Sequence, residues 1–287
     1  MPDVWFPNLG IEIENMSRVA FTLFGMDIYW YGVCIAAGVI GGILLAMRLA
    51  KALGQDPEIY LDISLYTVAF AIFGARLYYI LFSWEWEYYM NDPLKIFALR
   101  EGGIAIYGGI LAGALTVWIY SKRKKMSFYM LADTMAPCLI LGQIIGRIGN
   151  FLNREVFGGY TNNLFAMRYP LADVRAGDLT EEILNNLYNL NGVNYIQVHP
   201  TFLYEILWNI GVLLILLFFI KKKSFDGQIM AIYFLGYGIG RFWIEGVRTD
   251  QLLIGGLPVS QLLSAFLVAG AVLFMVWKRK TASNTKS

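Results

Sequence analysis

Charged side chains inside apolar runs are costly in hydrocarbon, so each one marks a place where chemistry or architecture requires it. Arg76, Arg147, Arg241 and Arg248, with Glu155, Glu205 and Glu245, lie in or just beyond stretches otherwise fit to cross a bilayer. Counting about 1.5 Å per helical residue, these groups converge with Tyr107 and Asn150 on one level, toward one end of the spans. Arginine presents a planar fork that matches phosphate oxygens and stays charged when partly dehydrated. A cationic site at that depth suits an anionic phospholipid headgroup. The same residues also read as structural ion pairs pinning helices together, as Arg241 and Glu245 can at i,i+4 spacing. Asp62 and Asp133 fall near the opposite end, away from this group.

The elements that position them follow from composition. The chain of 287 residues is 57% apolar and only 15% charged, with a mean hydropathy of +0.53. A soluble domain is about a quarter charged, so a soluble enzyme and a disordered chain are excluded. The net charge of +2 gives no broad cationic face, so no nucleic acid is expected as a partner. Seven stretches approach the roughly 20 residues a membrane helix needs: 28–47, 61–82, 103–120, 130–151, 201–220, 228–245 and 256–277. Basic clusters at Arg48/Lys51, 122–125, 221–223 and 278–280 then share one face, which the positive-inside rule makes cytoplasmic. Trp30, Trp84, Trp86, Tyr88 and Tyr89 fall at outer ends, as an aromatic belt would. The first 27 residues lack a signal-peptide pattern, and the connection 83–101 reads as an amphipathic segment resting on the bilayer.

The expected fold class is an all-α polytopic membrane protein: seven transmembrane helices with a small extracytoplasmic head domain, N-terminus outside and C-terminus inside. Residues 1–151 hold an N-terminal arm and helices 1–4, 152–198 the head domain, 199–280 helices 5–7, and 281–287 a disordered cytoplasmic tail. In the head, Asp178 and Glu181 read as a capping box opening a short helix that Asn191-Gly192 ends, followed by a strand over 193–198. Glycines at 38/42, 109/113, 142/146 and 236/240 repeat the four-residue spacing of close helix packing. Cys34 and Cys138 sit in apolar runs, so neither a disulfide framework nor a metal site is expected. No nucleotide loop or nucleophile elbow is present, and no cofactor is implied.

The stretch Gly146-Arg147-Ile148-Gly149-Asn150-Phe151-Leu152-Asn153-Arg154-Glu155, with Gly158 three positions on, resembles the signature of the prolipoprotein diacylglyceryl transferases. Further segments resemble the same family in the same order. They are Tyr29-Trp30-Tyr31-Gly32, Gly74-Ala75-Arg76, Arg100-Glu101-Gly102-Gly103, Tyr107-Gly108-Gly109, His199-Pro200-Thr201 with Tyr204-Glu205, and Gly240-Arg241-Phe242 through Asp250.

The resemblance implies transfer of a diacylglyceryl group from phosphatidylglycerol to the thiol of a lipobox cysteine in a preprolipoprotein signal peptide, releasing glycerol 1-phosphate. It implies a multi-pass protein of the bacterial plasma membrane, among membrane lipids, with its site toward the outer leaflet. By the same resemblance Arg147 and Arg241 stabilise the departing phosphate, with Asn150 and Glu155 ordering Arg147 or the headgroup. Arg76, Glu205, Glu245, Arg248, His199, Gly108 and Gly109 join the expected binding set. Where family members often carry His-Gly-Gly, this chain has Tyr107-Gly108-Gly109. A phenol with pKa near 10 is a poor general base at neutral pH, so Tyr107 is expected to orient the phosphate. His199, the sole histidine, reads either as a loop-packing residue or as a proton relay. Glu205 reads as an arginine partner or a headgroup ligand, and Arg76 and Arg248 as site or scaffold.

Two other classes of membrane protein share part of this pattern. A phospholipid transporter or flippase would also bury charge, but typically near the midplane between internal repeats, and no repeat is visible. An intramembrane aspartyl protease needs two carboxylates meeting within the bilayer; Asp62 and Asp133 lie near the wrong face.

Overall fold

The computed structural model describes residues 1–83, 86–98 and 102–284. Among them the helices are α1 (Trp30–Ala52), α2 (Pro57–Phe82), α3 (Trp86–Asn91), α4 (Ile106–Lys124), α5 (Phe128–Asn153), α6 (Glu181–Asn185), α7 (Thr201–Phe219), α8 (Gln228–Glu245) and α9 (Val259–Asn284). Five of these, α1, α2, α5, α7 and α9, are long and apolar enough to cross a membrane. The other two expected spans are helical as α4 and α8. A basic last turn on α4, and Gln228, Arg241 and Glu245 on α8, pull their mean hydropathy down. α9 continues to Asn284, past the start of the expected disordered tail, and 285–287 lie outside the described residues.

Helix boundaries follow local chemistry. α1 gives way at Gly54, in the left-handed region at φ 71°, and α2 begins three residues later. The Asp56 carboxylate caps it, accepting from the Glu58 N–H at 2.9 Å, and Pro57 occupies the first turn, where a missing N–H costs nothing.

The fold is not all-α. Strands β1 (Val4–Phe6) and β2 (Ile11–Ile13) join β5 (Met167–Pro170), β6 (Tyr188–Leu190) and β7 (Val193–Val198) in one antiparallel sheet of order β2-β1-β5-β7-β6. β3 (Val19–Leu23) pairs with β4 (Met26–Tyr29), and β8 (Leu253–Ile254) with β9 (Leu257–Pro258). The strand expected over 193–198 is β7. Most of the others have only two to four residues, too few for alternation to show in sequence. Asn191-Gly192 does not end a helix. With φ of 50° and 86° it turns the β6–β7 hairpin, the two-residue loop that Asn-Gly favours. α6 is capped by Thr180, whose hydroxyl accepts from the Ile183 N–H, rather than by Asp178.

The sheet's core joins Val4 and Phe6 to Phe157, Met167, Tyr169, Ile183, Ile196, Val198 and Phe202. Residues 152–198 alone are too few for an independent core; the N-terminal strands and the first turn of α7 complete it. Buried Arg154 fastens the N-terminal strands, pairing with Asp173 at 2.9 Å and Asp3 at 3.3 Å and donating to the Met16 carbonyl.

The chain divides into two compact units, 1–42 with 136–287, and 43–135. In the first, Gly38 of α1 faces the Gly142 backbone of α5, and Gly236 of α8 faces Val212 of α7. In the second, Gly109 and Gly113 of α4 face Ala71 and Thr67 of α2. Small residues let the helices approach closely, as their four-residue spacing suggests. Tyr89, expected in the interfacial belt, is buried with its ring 5.5 Å from the Arg76 guanidinium. Trp84 lies outside the described residues.

Candidate functional site: an arginine–carboxylate chain

Three chain segments are laced together where α5, α7 and α8 leave the apolar region. Gly158 donates its N–H to the His199 carbonyl at 3.0 Å, Gly159 to the Val247 carbonyl at 2.9 Å, and His199 to the Gly159 carbonyl at 3.0 Å. The lacing requires glycine at 158, since a Cβ there would stand 2.5 Å from the Val247 oxygen and 2.8 Å from the His199 Cβ. Just before it, Val156 is held at φ 59°, a strained conformation for a β-branched residue. The Thr201 hydroxyl grips its carbonyl. This bend turns Glu155 back toward Asn150, whose carbonyl accepts the Glu155 N–H at 3.1 Å.

The lacing brings the ends of α5, α7 and α8 into register, and their charged residues form one connected chain. Glu205 is its centre. Its Oε2 lies 2.6 Å from Arg147 Nε, and its Oε1 lies 3.1 Å from Arg241 Nη1 and 3.8 Å from Arg248 Nη1. Arg241 continues to Glu245 at 2.7 Å, and Arg248 to Asp250 through two hydrogen bonds of 2.6 and 2.9 Å. On the other side Arg147 donates to Asn150 Oδ1 at 3.0 Å, Asn150 Nδ2 donates to Glu155 Oε1 at 2.9 Å, and Arg175 pairs with Glu155 Oε2 at 3.3 Å. The chain thus holds four guanidiniums and four carboxylates. The sequence suggested a cationic excess; the structure balances the charges, because several guanidiniums gathered in one poorly hydrated place repel one another unless carboxylates stand between them.

The balance is not symmetric in access. The side chains of Arg147 and Arg241 are 19% and 15% exposed, whereas those of Glu205 and Glu245 are 4% and 3% exposed. Around Glu205 the guanidiniums are thus the more exposed partners, while toward the ends of the chain Glu155 and Asp250 are 16% and 27% exposed.

Asn150 contacts Arg147 directly, and Glu155 reaches Arg147 through Asn150. Glu205 is an arginine partner, and Arg248 is tied to Asp250. His199 packs its ring against Tyr204, with Nδ1 3.2 Å from the Tyr204 hydroxyl and 3.5 Å from Asn163 Nδ2. Burial pushes its pKa below the usual histidine value, so it is neutral near pH 7. It lines a hollow of about 370 Å³ with Tyr160, Thr180, Arg248 and Thr249.

The remaining expected site residues, Arg76, Tyr107, Gly108 and Gly109, belong to the second unit. Arg76 donates to the carbonyls of Ile96, Gly102 and Gly103 at 2.9 Å each and of Lys95 at 2.6 Å, anchoring the loop ahead of α4. Arg100 and Glu101 of that loop lie outside the described residues. Gly108 and Gly109 make room for α2. A Cβ on Gly108 would collide with Tyr78 and the Gly74 carbonyl, and one on Gly109 would stand 3.3 Å from the Ala71 carbonyl. Tyr107 is half-buried in the first turn of α4.

Sequence reasoning missed Arg175. It lies in a polar loop with no helical spacing to Glu155, and only the folded head domain joins the two. It also missed Gln143 and Asn209, uncharged residues one turn deeper than Arg147 and Glu205, whose signal was the i,i+4 spacing itself.

Helices fit to cross a membrane, joined at their ends by a buried arginine–carboxylate chain, mark a polytopic membrane protein. The model for Prolipoprotein diacylglyceryl transferase matches residues 18–277. A phosphatidylglycerol–prolipoprotein diacylglyceryl transferase of Bacillus cytotoxicus is 40% identical over 275 residues, covering 96% of this chain and 97% of the relative. Proteins with that same name from Bacillus cereus and Bacillus thuringiensis are 39% identical over the same length. The chain belongs to the prolipoprotein diacylglyceryl transferase family.

Proposed function

We propose that this protein transfers the diacylglyceryl group of phosphatidylglycerol to the lipobox cysteine thiol of preprolipoproteins. The sulfur attacks the glycerol carbon, the carbon–oxygen bond to phosphate breaks, and glycerol 1-phosphate departs with one proton released from the thiol. Negative charge grows on the leaving phosphate, and fixed guanidiniums already aimed there lower the barrier without reorganising. The access asymmetry of the ion-pair chain carries this reading. Arg147 and Arg241 are open to an incoming anion, while Glu205 and Glu245 hold their planes from behind. A free thiol has a pKa near 8.5, and the arginines favour its thiolate at the same site. His199, which lines the hollow, is assigned to accepting the proton. Tyr107 is assigned to orienting the phosphate, and Arg76 to scaffold.

In the same proposal α4 and α8 also cross the bilayer, giving seven spans in the bacterial plasma membrane. The basic ends of α1, α4 and α9 and the lysines after α7 are cytoplasmic, and the ion-pair chain sits at the outer leaflet. The head, built on 152–198, receives the signal peptide, and the function needs no cofactor.

The test is direct: incubate the purified protein with phosphatidylglycerol and a lipobox cysteine peptide. A thioether-linked diacylglyceryl peptide with stoichiometric glycerol phosphate is expected. Movement of lipid between leaflets with no covalent product would establish a transporter instead.

A further inference from the structure

Beneath the ion-pair chain lies a second polar layer. Gln143 precedes Arg147 by four residues on α5, Asn209 follows Glu205 by four on α7, and Tyr237 precedes Arg241 by four on α8. All three therefore stand one helical turn, about 5.4 Å, further into the apolar region on the same helix faces. Asn209 shares its face with buried Glu205, Val212 and Leu216 and is itself 3% exposed. The Tyr237 hydroxyl lies within electrostatic reach of Arg241, Glu205 and Arg147. Its ring stacks 5.8 Å from that of Tyr233, whose hydroxyl accepts from Gln143 Nε2 at 2.9 Å.

Two polar atoms of this layer are buried with no hydrogen-bond partner among the described residues: Asn209 Nδ2 and Gln143 Oε1. An orphaned buried amide costs roughly 1–3 kcal/mol, and native proteins keep few of them. Rotating the Gln143 amide by half a turn preserves its contact with Tyr233, because that hydroxyl donates as readily as it accepts. The second orphan then also becomes an N–H donor. The layer so offers two amide donors, one turn deeper than the guanidiniums.

A phospholipid gripped by its phosphate at Arg147 and Arg241 carries two ester carbonyls on the glycerol backbone, directly on the acyl-chain side of the phosphate. These are acceptors with no hydrogen of their own, at the depth where the orphaned donors stand. We propose that Asn209 and Gln143 form an ester-recognition layer, donating to the acyl ester carbonyls and so fixing the glycerol carbon that sulfur attacks. The inference rests on the proposed transfer from phosphatidylglycerol and names which part of that lipid these residues read.

The experiment compares dioleoyl phosphatidylglycerol with its dialkyl ether analogue, which keeps headgroup and chains but lacks both carbonyls. Both are presented to the full-length protein in detergent micelles with the lipobox peptide. For wild type, diester turnover is expected to exceed diether turnover at least tenfold, the factor for about 1.4 kcal/mol of lost hydrogen bonding. In Asn209→Leu that ratio should fall toward one, with Gln143→Leu acting in the same direction. Equal use of the two lipids by wild type would overturn the ester layer while leaving transfer intact, and would assign the orphans to a buried water. A variant that lowers both rates and keeps the ratio would overturn it too, showing a packing role. Absence of transfer with either lipid would overturn the proposed function itself, and with it this reading.

Discussion

Arg76 and Arg147 occupy equivalent places, each the twentieth residue of a 26-residue helix, α2 and α5. Depth along the helix would give them one role, yet they are satisfied in opposite ways. Arg76 is enclosed by four backbone carbonyls of a single loop. Those acceptors are neutral, and backbone geometry fixes them, so the guanidinium is locked to the loop it supports. Arg147 is held by a carboxylate from another helix and an amide from its own. An anionic partner of that kind can yield part of its share to a second anion, because both compete for the same fork of donors. The roles proposed for the two, scaffold for Arg76 and site for Arg147, thus follow from their partners and not from their position.

The sharpest way to break this distinction is at the centre of the chain. Glu205→Gln removes the one carboxylate shared by Arg147, Arg241 and Arg248 and leaves a surplus of buried positive charge. Removing one partner of a buried pair costs about 3–5 kcal/mol, so thermal unfolding in detergent should show a large drop in stability with loss of transfer. A stability change within 1 kcal/mol, by the scale of exposed pairs, would mean the chain is not electrostatically continuous.

Arg147 and Arg76 should then separate on conservative substitution. Arg147→Lys keeps the charge and loses the fork, and transfer should fall on the order of 100-fold, the cost of removing one preorganised donor. Arg76→Lys should fall far less in turnover while exposing residues 86–103 to limited proteolysis. Equal losses of turnover in the two variants would erase the contrast drawn here.

Gly158→Ala tests the lacing beneath the site. Its Cβ would overlap the Val247 carbonyl and His199, and overpacking of this kind costs about 1–3 kcal/mol. Reduced stability with a several-fold rise in the KM for phosphatidylglycerol is expected, since the three helix ends would lose register.

The smallest effect on stability belongs to His199. Its folded pKa lies below the unfolded value near 6.5, so the unfolded chain binds the proton more readily. The stabilisation from neutral His199 is present above about pH 6.5 and is lost as pH falls through that value toward the folded pKa. Melting temperatures from pH 8 to 5 should decline more for wild type than for His199→Gln. Parallel profiles would show that the imidazole does not titrate with folding.

Much of this was legible in the chain. Long apolar runs must be helical in a bilayer, because every backbone N–H and C=O needs a partner that lipid does not supply. The i,i+4 pair of Arg241 and Glu245 and the hinge at Gly54-Gln55-Asp56-Pro57 depend only on neighbours in sequence. The stretch from Gly146 to Glu155, which carries Arg147, Asn150 and Glu155, resembles the family signature in sequence alone. Tertiary structure decided the rest. Glu205 meets Arg147 across 58 positions of sequence and Arg241 across 36, and no local periodicity encodes such a meeting. Nor does a three-residue strand announce its partners: β1 finds β5 because the head core needs its apolar face covered. The sequence alone placed the costly charges. Only packing chose which partner neutralises each, because charge compensation in a low-dielectric interior is settled by proximity in space, and helices distant in the chain provide it.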